Sequence, residues 1–269
     1  MKKKIIVPTD LTKAAEKAIA QAIIIAKKGG FSLTLLHIMD EKPSASEQVK
    51  KALHEEAEKI TSNTGVECNV LLKEGNIFEA IPSFAGDNEF DLMVIGTHGL
   101  KGIRQNLFGS NILRLVAKIP IPVLVLQEES PVIESFHKLV LPVSSHDTFR
   151  SEIEAILLLA GLFEIEVHLY SIQKAGFPWP EQLMKNIEEA TRIFESKGIP
   201  LKRIKEEQKV YSKGYAKQTL MYANEAGAEI VCMISLPSEE YYYFAQSDKE
   251  TILMNEFHIP VLCSCGRKG

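Results

Sequence analysis

The sequence predicts an α/β protein made of two tandem doubly wound domains, each built on a parallel sheet. Three observations carry that expectation. Short apolar runs such as Ile5-Ile6-Val7 and Leu92-Met93-Val94-Ile95 alternate with segments of helical periodicity, the pattern of a parallel sheet covered on both faces. Segments also recur: Lys4-Ile5-Ile6-Val7-Pro8 matches Lys138-Leu139-Val140-Leu141-Pro142, and Ile121-Pro122-Val123-Leu124 matches Ile259-Pro260-Val261-Leu262. Between the halves lies a polar stretch with a proline, Gln127 to Pro131, which reads as a linker. The boundary is expected near residue 132, giving domains 1–131 and 132–269, each long enough to bury a core.

In the first half, Ile5 to Val7 reads as a short buried strand. Asp10 or Thr12 can cap the helix that follows, in which Ala15, Ala18, Ile19, Ala22, Ile23 and Ala26 share one face. Gly29-Gly30 ends it. Phe31 to Met39 reads as a second strand, Ser44 to Asn63 as a long polar helix, and Val66 to Leu72 as a third strand. Asn76 is placed to cap a helix carrying Ile77, Ala80, Ile81 and Phe84, in which Pro82 either disturbs the backbone or is tolerated. Leu92 to Ile95 is the fourth strand, Ser110 to Lys118 a helix, and Val123 to Leu126 the fifth strand. Right-handed crossovers make the domain doubly wound. With strand order 3-2-1-4-5, ligands are expected beyond the carboxyl ends of strands 1 and 4, where the order reverses.

The composition excludes several classes of function. Hydrophobic residues make up 45% and charged residues 25%, and the formal net charge is −4, which gives no electrostatic reason to expect nucleic acid. Lys2-Lys3-Lys4 and Arg203 to Lys209 are short or mixed with Glu and read as solvated surface. No apolar run approaches the ~20 residues that span a bilayer, and the N-terminal apolar run is too short for a signal-peptide core, so a cytoplasmic protein with no membrane partner is expected. Four cysteines are too few and too scattered for a disulfide scaffold. Cys263-Ser264-Cys265 lacks flanking His or Cys, and no metal ligands are assigned.

The most specific motif follows the fourth strand: Gly96-Thr97-His98-Gly99, nine residues, then Gly109-Ser110-Asn111. A loop that wraps a phosphate chain needs positive φ and no Cβ between backbone and ligand. Gly96 and Gly99 are expected to supply both, with Gly102 a third such point. Ser110 stands at the next helix start, where N–H groups meet anions. Asp10, after strand 1, is placed for a ribose hydroxyl or, through water, a divalent ion. Spacing alone leaves a second reading open, in which the glycines only make tight turns beside a strand end. The motif is neither a Walker loop nor the dinucleotide G-x-G-x-x-G.

At these residues the chain resembles the universal stress protein family. Its ATP-binding members carry G, two residues, G, nine residues, then G followed by Ser or Thr, a pattern that Gly96, Gly99, Gly109 and Ser110 fit. Pro8-Thr9-Asp10, Leu36-His37-Ile38 and Pro120 to Val125 are similar to other family segments. The resemblance implies a Rossmann-like fold of the adenine nucleotide alpha hydrolase-like type. It implies ATP, or ADP or AMP, as ligand, with Mg2+ admitted. Asp10 would hold ribose or adenine, and Pro8, Thr9 and Ile38 would line the base pocket. Gly96, His98, Gly99, Gly109, Ser110 and Asn111 would surround the phosphates, His98 through its backbone more than its imidazole. Lys101 and Arg104 either shield phosphate or are solvated. Family dimers pair through their last strands, so the resemblance implies the same pairing between the two domains of this chain. A further homodimer or an unknown protein partner stays open.

The second half departs from the pattern. Asp10 faces Ser144, Gly96 faces Ile234, Gly99 faces Pro237, Gly109 faces Ser247 and Ser110 faces Asp248. A branched side chain, a residue without N–H and an added negative charge each oppose phosphate. One nucleotide per chain is therefore expected, in the first half. Tyr241-Tyr242-Tyr243-Phe244 in the degenerate loop either covers the vacated crevice or meets a partner, and the loop around Trp179 is expected to fold back on its own domain. The expected function is a nucleotide-dependent stress-response regulator with no assigned catalytic residue and at most slow ATP hydrolysis. The alternative is a scaffold of the same fold without nucleotide. An adenylyl-transferring or ATP pyrophosphatase enzyme would carry an S-G-G-x-D-S type loop after strand 1, which Pro8-Thr9-Asp10-Leu11-Thr12 is not.

Overall fold

The computed structural model describes residues 2–39, 46–97, 110–173, 178–207, 214–236 and 246–265. His98, Gly99, Lys101, Gly102, Arg104, Gly109, Pro237 and the run Tyr241 to Phe244 lie outside them. The chain forms two compact units, Met1–Glu134 and Ser135–Gly269.

The first unit runs β1 (Lys4–Pro8), α1 (Lys13–Gly29), β2 (Ser32–Met39), α2 (Ser46–Thr64), β3 (Cys68–Glu74), α3 (Ile77–Asp87), β4 (Leu92–Thr97), α4 (Ser110–Val116) and β5 (Val123–Gln127). Its strands lie in the order β3-β2-β1-β4-β5, with every pair parallel. This is the expected 3-2-1-4-5 arrangement, and its reversal falls between β1 and β4. The core follows the apolar runs: Ile5, Ile6, Leu33, Leu35, Leu92, Met93, Val94 and Leu124 are fully buried against helix residues such as Ala18, Ala22 and Ile25.

Local chemistry explains the element ends. Of the two candidate caps for α1, Thr12 is the N-cap; its hydroxyl oxygen accepts from the Ala15 N–H. Gly30 ends the helix at φ +68, a left-handed turn, with its N–H on the Ala26 carbonyl. Asn76 caps α3 through the Phe78 N–H at 2.8 Å, and the helix continues past Pro82 to Asp87. The stretch Gln127 to Pro131 is held in place. The buried Ser130 hydroxyl accepts the Gln127 N–H, and the Gln21 side chain exchanges two hydrogen bonds with the backbone of Ile133.

The second unit runs β6 (Lys138–Pro142), α5 (Arg150–Ala160), β7 (Glu166–Gln173), α6 (Glu181–Ser196), β8 (Leu201–Glu207), α7 (Gly214–Glu225), β9 (Ile230–Ile234), α8 (Gln246–Leu253) and β10 (Val261–Ser264). Its order is β8-β7-β6-β9-β10, again all parallel. The registers repeat those of the first unit. Lys4 pairs with Ser32 as Lys138 pairs with Glu166; Ile5 pairs with Leu92 as Leu139 pairs with Ile230; Met93 pairs with Val123 as Val231 pairs with Val261. Sheet geometry thus makes Asp10 equivalent to Ser144 and Gly96 equivalent to Ile234, the correspondences read from the sequence.

Candidate functional site

Strand β1 delivers Pro8, Thr9 and Asp10 to the carboxyl end of the sheet, and β4 delivers Gly96 and Thr97 beside them. The turn after β1 is built by short-range hydrogen bonds. The buried Thr9 donates its N–H to the Leu36 carbonyl at 2.8 Å, tying the turn to β2. Its hydroxyl oxygen accepts the Leu11 N–H at 3.2 Å. One oxygen of the exposed Asp10 carboxylate accepts both the Thr12 N–H, at 3.1 Å, and the Thr12 hydroxyl, at 2.5 Å. Between them Leu11 adopts φ +62 with 41% of its surface exposed. A leucine in the left-handed region costs roughly 1–2 kcal/mol, and the bonds on either side hold it there. The result is a fixed, solvent-facing carboxylate next to an apolar side chain.

Two residues that shape this turn are not singled out by the sequence. Leu11 is one; nothing in its type announces a positive φ. His37 is the other. Its Nδ1–H donates to the Thr9 carbonyl at 2.7 Å, so β2 supports the Asp10 turn from beneath. The signal was present in Leu36-His37-Ile38, where a polar ring interrupts an apolar strand end. Ile38 sits next to it on β2, half-buried and paired with Lys73 of β3.

Gly96 requires a correction. It lies within β4, paired with Leu126 of β5, and is not among the glycines with positive φ. Its reason is close approach: a Cβ there would stand 2.0 Å from the Ala14 carbonyl oxygen and 2.9 Å from the Ala15 nitrogen. The first turn of α1 lies directly against the end of β4, and only a residue without a side chain fits. Since α1 begins just after Asp10, this contact also fixes the Asp10 turn beside the β4 terminus. Ser110 opens α4, and Asn111 follows, half-buried. His98, Gly99 and Gly109 belong to the segment outside the described residues. Among the described residues, no group of three or more His, Cys, Asp or Glu is placed to hold a metal ion, and no helix is long and apolar enough to cross a membrane.

At the equivalent place in the second unit, Ser144 is fully buried where Asp10 is exposed. Ile234 ends β9 where Gly96 stands in β4. Val143 donates to the Tyr170 carbonyl as Thr9 does to Leu36, but Ser171, equivalent to His37, gives its hydroxyl to the Ile204 carbonyl instead. The Asn186 amide donates to the carbonyls of Ser144 and His146 at 2.7 and 2.9 Å, drawing that turn onto α6. Around Trp179 the loop packs on its own unit, with the Lys205 ammonium 4.5 Å above the indole ring.

Comparison with known proteins agrees with this architecture. The model of the universal stress protein family matches residues 1–127. A universal stress protein of Thermus aquaticus is 33% identical over 138 residues, covering 47% of this chain and all of that protein. Another, from Methanocaldococcus jannaschii, is 29% identical over 140 residues, covering 47% of this chain and 82% of its own. Over the full length, the crystal structure of a universal stress protein from Archaeoglobus fulgidus superposes with a TM-score of 0.75 at 17% identity, covering 98% of both chains, which shows a shared fold.

Proposed function

The chain belongs to the universal stress protein family, and from that premise we propose that its first unit binds an adenine nucleotide, ATP foremost, and that the protein acts as a nucleotide-dependent regulator of a stress response. The observation that carries this reading is the meeting of two features at one switch point. Asp10 leaves β1 and the glycine motif leaves β4, and these strands are neighbours at the reversal of the sheet order, where α/β sheets take their ligands.

The described residues suit such a ligand. Asp10 presents a carboxylate already oriented by Thr12, as a ribose hydroxyl requires. Pro8, Thr9 and Ile38, with Leu11 beside them, offer the mixed apolar wall that a base needs. The segment from Gly96 to Gly109, with Ser110 and Asn111, supplies the phosphate side. Catalysis does not follow from this set. Asp10 is the one acidic group in it, and phosphates held by backbone N–H groups, with or without Mg2+, undergo slow hydrolysis at most.

Gly109→Val tests the loop. It should abolish binding of ATP while the circular dichroism and melting of the chain stay as in wild type. Unchanged affinity removes the loop from the site and leaves a scaffold without nucleotide as the better account.

A further inference from the structure

The second unit has its own switch point, between β6 and β9. Two fully buried charged side chains flank it. Glu152 lies in the first turn of α5, the helix that leaves β6. Lys249 lies in α8, the helix that follows β9, and its ammonium donates to the carbonyl of Leu236, just beyond the end of β9. Lys249 matches Asn111 of the first unit in sequence, and Leu236 matches His98. The ammonium therefore stands just beyond β9, at the second unit's counterpart of the position where the glycine motif leaves β4.

Contacts beside both charges converge on the ends of β9 and β10. The Ser151 hydroxyl, next to Glu152, donates to the Ser264 hydroxyl at 3.1 Å, and the Ser235 hydroxyl donates to the Ser264 carbonyl at 2.7 Å. The first turn of α5 is thus seated on the ends of β9 and β10. Cys263, fully buried in β10, has its thiol pushed far above the usual range by burial; beyond that, Lys249 and Glu152 act on it with opposite sign. Cys232 in β9 is raised likewise, by burial first and then by Glu152.

A buried ammonium is costly unless an anion compensates it, and a buried carboxylate is costly without a cation. We propose that Lys249 and Glu152 are each other's counter-charges and together fill the second unit's crevice, so that this unit is held closed by its own side chains and accepts no nucleotide. The pair bridges the two flanks of the switch point, α5 and α8. A phosphate entering there would meet Glu152 and Asp248 and would have to separate Glu152 from Lys249. The inference rests on residues of the second unit alone and does not depend on nucleotide binding by the first.

The test is a double-mutant cycle on the full chain, with Cys68 and Cys265 replaced by Ser so that Cys232 and Cys263 report. Labelling by Ellman's reagent measures opening of the crevice, and thermal melting measures its cost. Lys249→Met, which keeps the volume and loses the charge, should speed labelling roughly tenfold or more and lower the melting transition by on the order of 10 °C. Glu152→Gln should act in the same direction. The double variant should label slowly and melt near wild type, because removing both charges leaves neither uncompensated. Should Lys249→Met fail to fold, recovery of a folded, slowly labelled double variant gives the same answer. Effects that add in the double variant, a double variant that stays unfolded, or a Lys249→Met that behaves as wild type each overturn the pairing.

Discussion

The two units share strand order, register and helix placement, yet differ at their switch points. In the first, Gly96 lets the α1 backbone come against the end of β4, and Asp10 stands exposed beside that contact. In the second, the equivalent strand ends in the fully buried Ile234, the equivalent of Asp10 is the buried Ser144, and Glu152 and Lys249 lie inside. The fold therefore does not itself demand a glycine near the end of its fourth strand. The glycine is demanded by how closely the first helix is drawn in, and that closeness holds the Asp10 turn beside the end of β4. One unit keeps an exposed carboxylate at its switch point; the other buries its side chains there.

The sharpest way to break this contrast is Gly96→Ala. The added methyl would overlap the Ala14 carbonyl, and relief requires moving α1 or β4. We expect a loss of about 3 kcal/mol or more in the first unit's unfolding free energy, measured by urea denaturation. A near-neutral effect would mean that α1 stands further from β4 than described. Asp10→Ala comes next: binding of ATP and of adenosine should fall together, by about tenfold, in calorimetric titrations. A loss confined to ATP would move Asp10 to the phosphates or to a metal. His37→Phe keeps an aromatic ring but removes the donor to the Thr9 carbonyl, so affinity should fall severalfold and stability by about 1 kcal/mol. An unchanged affinity would show that the Asp10 turn holds its shape without His37.

The smallest effect concerns acid. In the second unit the buried His168 donates Nε2–H to Glu166 at 2.5 Å and accepts the Tyr222 hydroxyl at Nδ1, 2.6 Å away. The hydrogen bond from His168 holds the Glu166 carboxyl below its ordinary range. A depressed carboxylate contributes stability that is present above its unfolded pKa, near 4.5, and is lost as pH falls through the lower folded value. Glu166 is 44% exposed, so water screens much of the contribution. Glu166→Gln should make melting of the second unit slightly less sensitive to pH below about pH 4 than in wild type. An identical pH profile would remove Glu166 from the account.

Much of this was legible in the sequence because it rests on patterns with a physical period. Buried parallel strands produce runs such as Leu92 to Ile95, and capping produces Asn76 before α3 and Gly30 after α1. The repeat of Lys4–Pro8 at Lys138–Pro142 fixed the correspondence of the units, which the registers reproduce. The role of Gly96 was misread because a glycine at a strand end has two physical uses, positive φ and close approach, and the sequence does not separate them. Leu11 and His37 were missed because each acts through backbone geometry: one by an unfavourable φ, the other by a hydrogen bond to a carbonyl. Glu152 and Lys249 are ordinary helix residues in sequence, and only their burial sets them apart.

The most direct test of the central claim is isothermal titration of the nucleotide-free chain with ATP and Mg2+, after acid extraction has removed any carried-over ligand. The account predicts one ATP per chain, with the heat abolished by Gly109→Val and retained in the Glu152→Gln/Lys249→Met variant. Two sites per chain would contradict the closed second unit, and no binding by the folded chain would contradict the nucleotide site itself.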